Sequence, residues 1–165
     1  MKKRILSMLC IIGIFCTMMV SVVSAETANA ESKKIDGSYL THDVSSTGTS
    51  SNSLMRGEYL MTGSCTISNA GLTRIYAYAS TTANTTVNFM STIVYVERYN
   101  EEKEEWGQIH YWIAETENDY FMSTDAIVDV EPGYYYRVRA IHIAGDQYPY
   151  DETASVTNGI YVKPI

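Results

Sequence analysis

Hydrophobic residues are distributed in three successive patterns along this chain. An uncharged apolar run from Ile5 to Val23 stands behind the basic head Met1-Lys2-Lys3-Arg4 and ends in Val22-Val23-Ser24-Ala25. A positive head, an apolar stretch and small residues at its end form the pattern of a cleaved export signal, so residues 1–25 read as a signal peptide. Ala28-Asn29-Ala30 offers a second site, leaving the cut after Ala25 or after Ala30. A run of about 19 apolar residues is also just long enough to anchor a chain in a bilayer. Two cleavage signatures in succession, with no charged stop-transfer cluster behind them, favour removal. Neither Cys10 nor Cys16 is preceded by the pattern of a lipid-attachment site.

The second pattern is a scarcity of large apolar side chains over residues 26–56, where Ser, Thr, Asn and Asp dominate. The stretch Asp43 to Ser53 buries too little surface to offset its ordering entropy. A flexible Ser/Thr-rich N-terminal segment is therefore expected. Only Ile35-Asp-Gly-Ser-Tyr-Leu-Thr41 within it has groups able to dock onto a folded body.

The third pattern, over residues 57–165, is alternation with a period of two, the spacing of a strand with one buried face. Ile75, Ala77 and Ala79 alternate with Arg74, Tyr76 and Tyr78. Val87 to Tyr99 is a long β-branched and aromatic run whose apolar positions change parity between Phe89 and Val94, predicting a bulge or a strand buried on both faces. The acidic stretch 100–105 reads as a hairpin turn, and Trp106 to Glu115 alternates Ile109, Tyr111 and Ile113 with Gln108, His110 and Trp112. Turns follow at 116–119 and at Glu131-Pro132-Gly133, where Pro fixes φ and Gly permits a positive one. Tyr134 to Ile143 and Ser155 to Val162 supply the last strands. Asn84-Thr85-Thr86, a formal glycosylation acceptor, reads as a turn. About seven strands with turns every 8–14 residues predict one all-β domain, an antiparallel β-sandwich.

The segment Pro132-Gly-Tyr-Tyr-Tyr136-Arg-Val138-Arg-Ala140 resembles the penultimate strand of fibronectin type III and immunoglobulin-like domains. In those domains a tyrosine near the strand start bonds its hydroxyl back to the preceding loop. The resemblance implies that corner role for Tyr136, with Val138 and Ala140 on the same buried face. Trp112 is a further expected structural residue. The chain as a whole is similar to a family of small exported proteins of Gram-positive anaerobes that has no assigned function. That similarity runs through Ile35–Thr41, Cys65–Gly71, Ala79–Asn84, Val96–Arg98, Gly133–His142 and Thr157–Ile160, in order. It implies secretion and a compact β domain, and carries over no functional residue. The chain departs from that family in Cys65, where Ser or Thr is expected, and in its longer acidic turn.

Composition narrows the function classes. The formal net charge is −7, but Lys2, Lys3 and Arg4 fall in the leader and every Asp and Glu lies after it. Without the leader, 9 basic residues face 19 acidic ones, a balance near −10. An acidic chain with scattered Lys and Arg has no footprint for nucleic acid. Cys65 is the one cysteine beyond the leader, which excludes an internal disulfide framework and a cysteine-based zinc site.

No catalytic motif stands out. Cys65 lacks a nucleophile motif around it and reads as a small buried strand residue, with pairing between chains as the other option. His42, His110 and His142 do not sit at ligand spacing, and the acidic turn lacks the glycine-centred wrap of a calcium loop. No cofactor and no metal are expected. The feature above background is the loop Gly145-Asp146-Gln-Tyr148-Pro-Tyr150-Asp151, two tyrosines beside two carboxylates. Tyrosines offer flat apolar surface with a hydrogen-bonding rim, suited to a protein or a sugar. Tyr76, Tyr78 and Tyr135 extend that platform if they face outward.

The expectation is a secreted, non-enzymatic binding module for an extracellular protein or a surface glycan, free of the membrane once the leader is cut. One alternative is a hydrolase of cell-wall or dietary glycans, which needs a cleft lined by carboxylates such as Glu97, Glu115 and Asp129. The other is a structural envelope-associated protein.

Overall fold

A computed structural model describes residues 33–50 and 58–164. The expected leader, residues 1–25, lies outside the described residues. All described residues belong to one compact unit, Glu31–Ile165. They form eleven strands and no helix: β1 Lys34–Ile35, β2 Ser38–Thr41, β3 Ser45–Thr49, β4 Leu60–Gly71, β5 Arg74–Val87, β6 Phe89–Asn100, β7 Glu105–Thr116, β8 Asp119–Asp129, β9 Tyr135–Gly145, β10 Asp151–Val156 and β11 Gly159–Tyr161.

The strands make two sheets, as the alternation requires. The first is β3-β4-β5-β8, and the second is β1-β2-β11-β9-β6-β7 with β10 also on β9. Every pairing is antiparallel except the short parallel contact between β11 and β2. Inward residues of both sheets pack face to face, and they fall into two apolar clusters. Cys65, Ile67, Ile75, Val94, Val138 and Ile160 anchor the larger cluster, while Leu60, Val87, Met90 and Met122 anchor the smaller.

A polar belt separates the two clusters. On β5, Thr81 stands between the inward positions Ala79 and Ala83; Thr92 on β6 and His142 on β9 occupy the matching places. His142 is fully buried. Its Nδ1 lies 2.8 Å from the Thr81 hydroxyl and its Nε2 2.8 Å from the Ser155 hydroxyl, with Thr81 and Thr92 bonded at 2.5 Å. A Cβ at Gly63 would come within 2.1 Å of the His142 ring, so only glycine lets the ring lie flat on β4. Burial drives the His142 pKa down to about 4, since nothing acidic faces it to offset the lost solvation.

The segment expected to be flexible is partly built into the sheets. Ser45 to Thr49 pairs with β4 over five residues, and a Cβ on Gly48 would strike the Val156 carbonyl at 1.9 Å. The entropy argument fails here because the open edge of β4 supplies backbone partners to a segment with little to bury. Residues 51–56 lie outside the described residues. Asn84-Thr85-Thr86 is likewise not a turn. It lies within β5, in an irregular stretch where pairing with β8 jumps from Thr82 to Val87, and the chain reverses at Asn88 instead.

The Tyr136 hydroxyl donates to the Glu131 carbonyl at 2.7 Å, and Val138 and Ala140 are fully buried. Trp112 reaches from the edge of the second sheet to the first, its Nε1 donating to Thr124 Oγ1 of β8 at 2.9 Å. The parity change expected between Phe89 and Val94 is not a bulge in β6, which pairs with β9 without a break: Met90, Thr92 and Val94 face the core while Phe89 packs on Tyr150. The register with β7 slips only further on, between Val96 and Glu97, where β7 carries the extra residue Ile109.

Candidate functional site

The loop 145–151 joins β9 to β10 across one end of the sandwich. Both of its carboxylates are occupied within the fold. Asp151 accepts from the backbone N–H groups of Tyr59 and Leu60 at 2.6 and 3.1 Å, fixing the entry to β4. Asp146 accepts from the Asn88 N–H at 2.9 Å, closing the turn between β5 and β6. Tyr150 is half-buried against Phe89, with ring centres 4.9 Å apart. Tyr148, 87 % exposed, is the one member of the expected site that stands free. The other tyrosines do not extend it. Tyr135 sits at the far end of β9, clustered with His42 and Tyr161, and Tyr76 and Tyr78 face outward on the first sheet.

A broader surface lies on the outward face of the second sheet. Register places Ile113, Ile93 and Ile141 side by side across β7, β6 and β9. The neighbouring row is Tyr111, Tyr95 and Arg139. Tyr95 and Tyr111 stack at 6.3 Å, and the Arg139 guanidinium lies 4.4 Å over the Tyr95 ring. Tyr111 is 56 % and Ile113 53 % exposed, so the rows are open to solvent at β7. The strand alternation had marked Tyr111 and Ile113 as one face, but not that three strands bring isoleucines together.

One end of this face is closed by the N-terminal strands. Arg137, 1 % exposed, donates to Glu97 at 2.7 Å, to the Asp36 carbonyl at 2.7 Å and to the Asp36 carboxylate at 2.6 Å. Its guanidinium also lies 4.5 Å from the Trp106 ring, and Trp106 donates to the Ile35 carbonyl. Arg139 completes the cluster by donating to the other Glu97 oxygen at 3.0 Å. These partners are separated by about 40 and 100 positions along the chain, beyond the reach of any periodicity.

The carboxylates required by a hydrolase are dispersed. Glu97 is enclosed by Arg137 and Arg139, Glu115 is exposed near the end of β7, and Asp129 ends β8 in the other sheet. A cavity of about 630 Å³ lies elsewhere, between the β6–β7 hairpin and the 132–134 turn. Arg98 in it is paired with Glu131 at 2.7 Å and lies over the Tyr134 ring. Cys65 is fully buried and free, its thiol pushed up to about 11 by desolvation. Pairing between chains through it would need the sandwich to open. Among the described residues, no cluster of His, Cys, Asp or Glu is arranged to hold a metal, and no helix is long and apolar enough to cross a membrane.

No family of known proteins matches this chain, and neither a curated protein nor a solved structure does so.

Proposed function

We propose that the chain is an exported, non-enzymatic module that binds an extracellular protein through the outward face of its second sheet. The observation that carries this reading is the pair of adjoining rows Ile113-Ile93-Ile141 and Tyr111-Tyr95-Arg139. Tyrosine and arginine beside aliphatic residues, without lysine, is the composition of a protein-interface centre rather than of ordinary surface. Sugar hydroxyls need a denser field of hydrogen-bonding groups than an isoleucine row offers. Export rests on the leader pattern of residues 1–25.

The sandwich is read as immunoglobulin- or fibronectin III-like on two supports. Counting β4 to β10 as seven strands, the first, second and fifth share one sheet and the third, fourth, sixth and seventh the other. The tyrosine bond from Tyr136 falls at the start of the sixth.

Residues 31–165, immobilised and exposed to separated extracellular proteins, test the function. A partner retained by the native chain and by a Tyr148→Ala/Tyr150→Ala variant, but lost by Tyr95→Ala/Ile141→Asp, supports the face. Retention by the face variant and loss by the loop variant would move the site to Tyr148. A glycan reading has its own observation: Tyr76 and Tyr78 project from the first sheet among hydroxyls such as Ser64, Thr66 and Ser80. Glycan-array binding abolished by Tyr76→Ala/Tyr78→Ala would favour it.

A further inference from the structure

A strand at the edge of a sheet leaves half its backbone donors and acceptors without partners, and charged residues or prolines usually guard it. Among the described residues β7 pairs only with β6, so it forms an edge of the second sheet. From Trp106 to Ala114 it contains no Lys, Arg, Asp, Glu or Pro. Both edge strands have acidic residues near their ends, Glu105 and Glu115 on β7 and Asp119 and Asp129 on β8, but β8 also carries Asp125 in its interior, and the opposite edge of the first sheet, β3, is only five residues long. The unguarded edge is also where the isoleucine row runs out into solvent, at Ile113.

We infer that two copies of this chain pair edge to edge through β7, antiparallel about Ile113. A two-fold axis normal to the sheet keeps outward residues outward, so opposed residues must share a face. The register slip between Val96 and Glu97 leaves His110–Thr116 as the regular stretch free for pairing. Centred on Ile113, that stretch sets Ile113 against itself, Tyr111 against Glu115, Trp112 against Ala114 and His110 against Thr116. No like charges meet, and each Glu115 carboxylate faces a Tyr111 hydroxyl that can donate to it. The row Ile141-Ile93-Ile113 then continues without a break into the second copy. Neighbouring registers fit worse: a centre at Ala114 sets Glu115 against Ile113, and one at Trp112 sets it against Ile109, the residue the slip leaves without a partner on β6. This self-matching is what selects a second copy over a foreign strand. The inference shares Ile113 and Tyr111 with the protein-binding reading but rests on the backbone edge of β7, which Tyr95→Ala/Ile141→Asp leaves in place, so the two can fail separately.

Sedimentation velocity on residues 31–165, from low micromolar to near-millimolar concentration, tests it. The native chain is expected to pass from monomer to a species of twice the mass. Ile113→Lys is expected to remain monomeric with an unchanged circular dichroism spectrum. Ile127→Lys, the same change on the exposed face of the first sheet, is expected to dimerise as the native chain does. A native chain that stays monomeric throughout, including one that pairs only with an added peptide, overturns the inference; so does an Ile113→Lys variant that dimerises normally. If Ile113→Lys fails to fold, cross-linking decides. Ile113→Cys treated with a short bis-maleimide should give a covalent dimer that Ile127→Cys does not, since the native Cys65 is buried. Equal yields from both would also refute the pairing.

Discussion

Acidification puts a proton on His142 in the unfolded chain long before it can do so in the folded one. In the unfolded state the imidazole titrates near its ordinary value of about 6.5. In the fold it is enclosed by Thr81, Ser155 and the Gly63 backbone, and burial lowers its pKa to about 4. Above about pH 6.5 both states are neutral and this residue contributes no pH dependence. Between the two values only the unfolded state gains the proton, so each unit of pH lowers the unfolding free energy by about 1.4 kcal/mol. The loss comes to about 2 kcal/mol at pH 5 and about 3 kcal/mol at pH 4, against a total of about 5–15 kcal/mol for a domain.

Urea unfolding followed by tryptophan fluorescence from neutral pH to about pH 5 measures this loss, because few carboxylates titrate over that interval. A His142→Gln variant supplies the reference. It is less stable overall, yet its unfolding free energy should be nearly flat over the same range. Parallel curves for the two chains would refute the reasoning, and so would a ring proton of His142 titrating near 6.5 in the folded chain.

Gly63→Ala drives a methyl group into that same ring, and overpacking of this kind costs about 1–3 kcal/mol; a variant as stable as the native chain in urea would show that β4 can retreat from His142. Tyr136→Phe removes the bond to the Glu131 carbonyl and should lower stability by about 1 kcal/mol with no change of fold, so an unchanged urea midpoint would count against a structural corner. The Cys65 thiol, held near 11 by burial, should stay inert to a thiol reagent at neutral pH and react fully in urea. Rapid reaction in the native state would mean that the two sheets separate readily.

The sequence displayed whatever depends on neighbours along one strand. Inward Ile75, Ala77 and Ala79 and the Pro132-Gly133 turn are each set by spacing of a few residues, and all appear as expected. Val138 and Ala140 follow the same rule on β9. Contacts between strands distant in the chain left no such trace. Ser45 to Thr49 looked incapable of ordering because its side chains bury little, yet its backbone completes the edge of β4. Asp146 and Asp151 read as site residues because they flank the loop tyrosines, but each also accepts from a backbone donor more than fifty positions away. A carboxylate in a loop has the same sequence signature whether it binds a ligand or a turn.

The second sheet uses one physical device at one end of its outward face and omits it at the other. Toward Arg137, β1 and β2 fold over Trp106 and Glu97, and the buried guanidinium is satisfied on every side by carboxylate, carbonyl and ring. Burying that charge is tolerable because Glu97 pairs with it from within the sheet and the N-terminal segment adds Asp36 and Ser38 as partners. Toward Tyr111 and Ile113 no described strand performs the same service, although an isoleucine row gains more from cover than an ion pair does. A chain able to order a Ser/Thr-rich segment over its charged cluster, while leaving its apolar row open at an unguarded edge, has that row placed to be covered by another molecule.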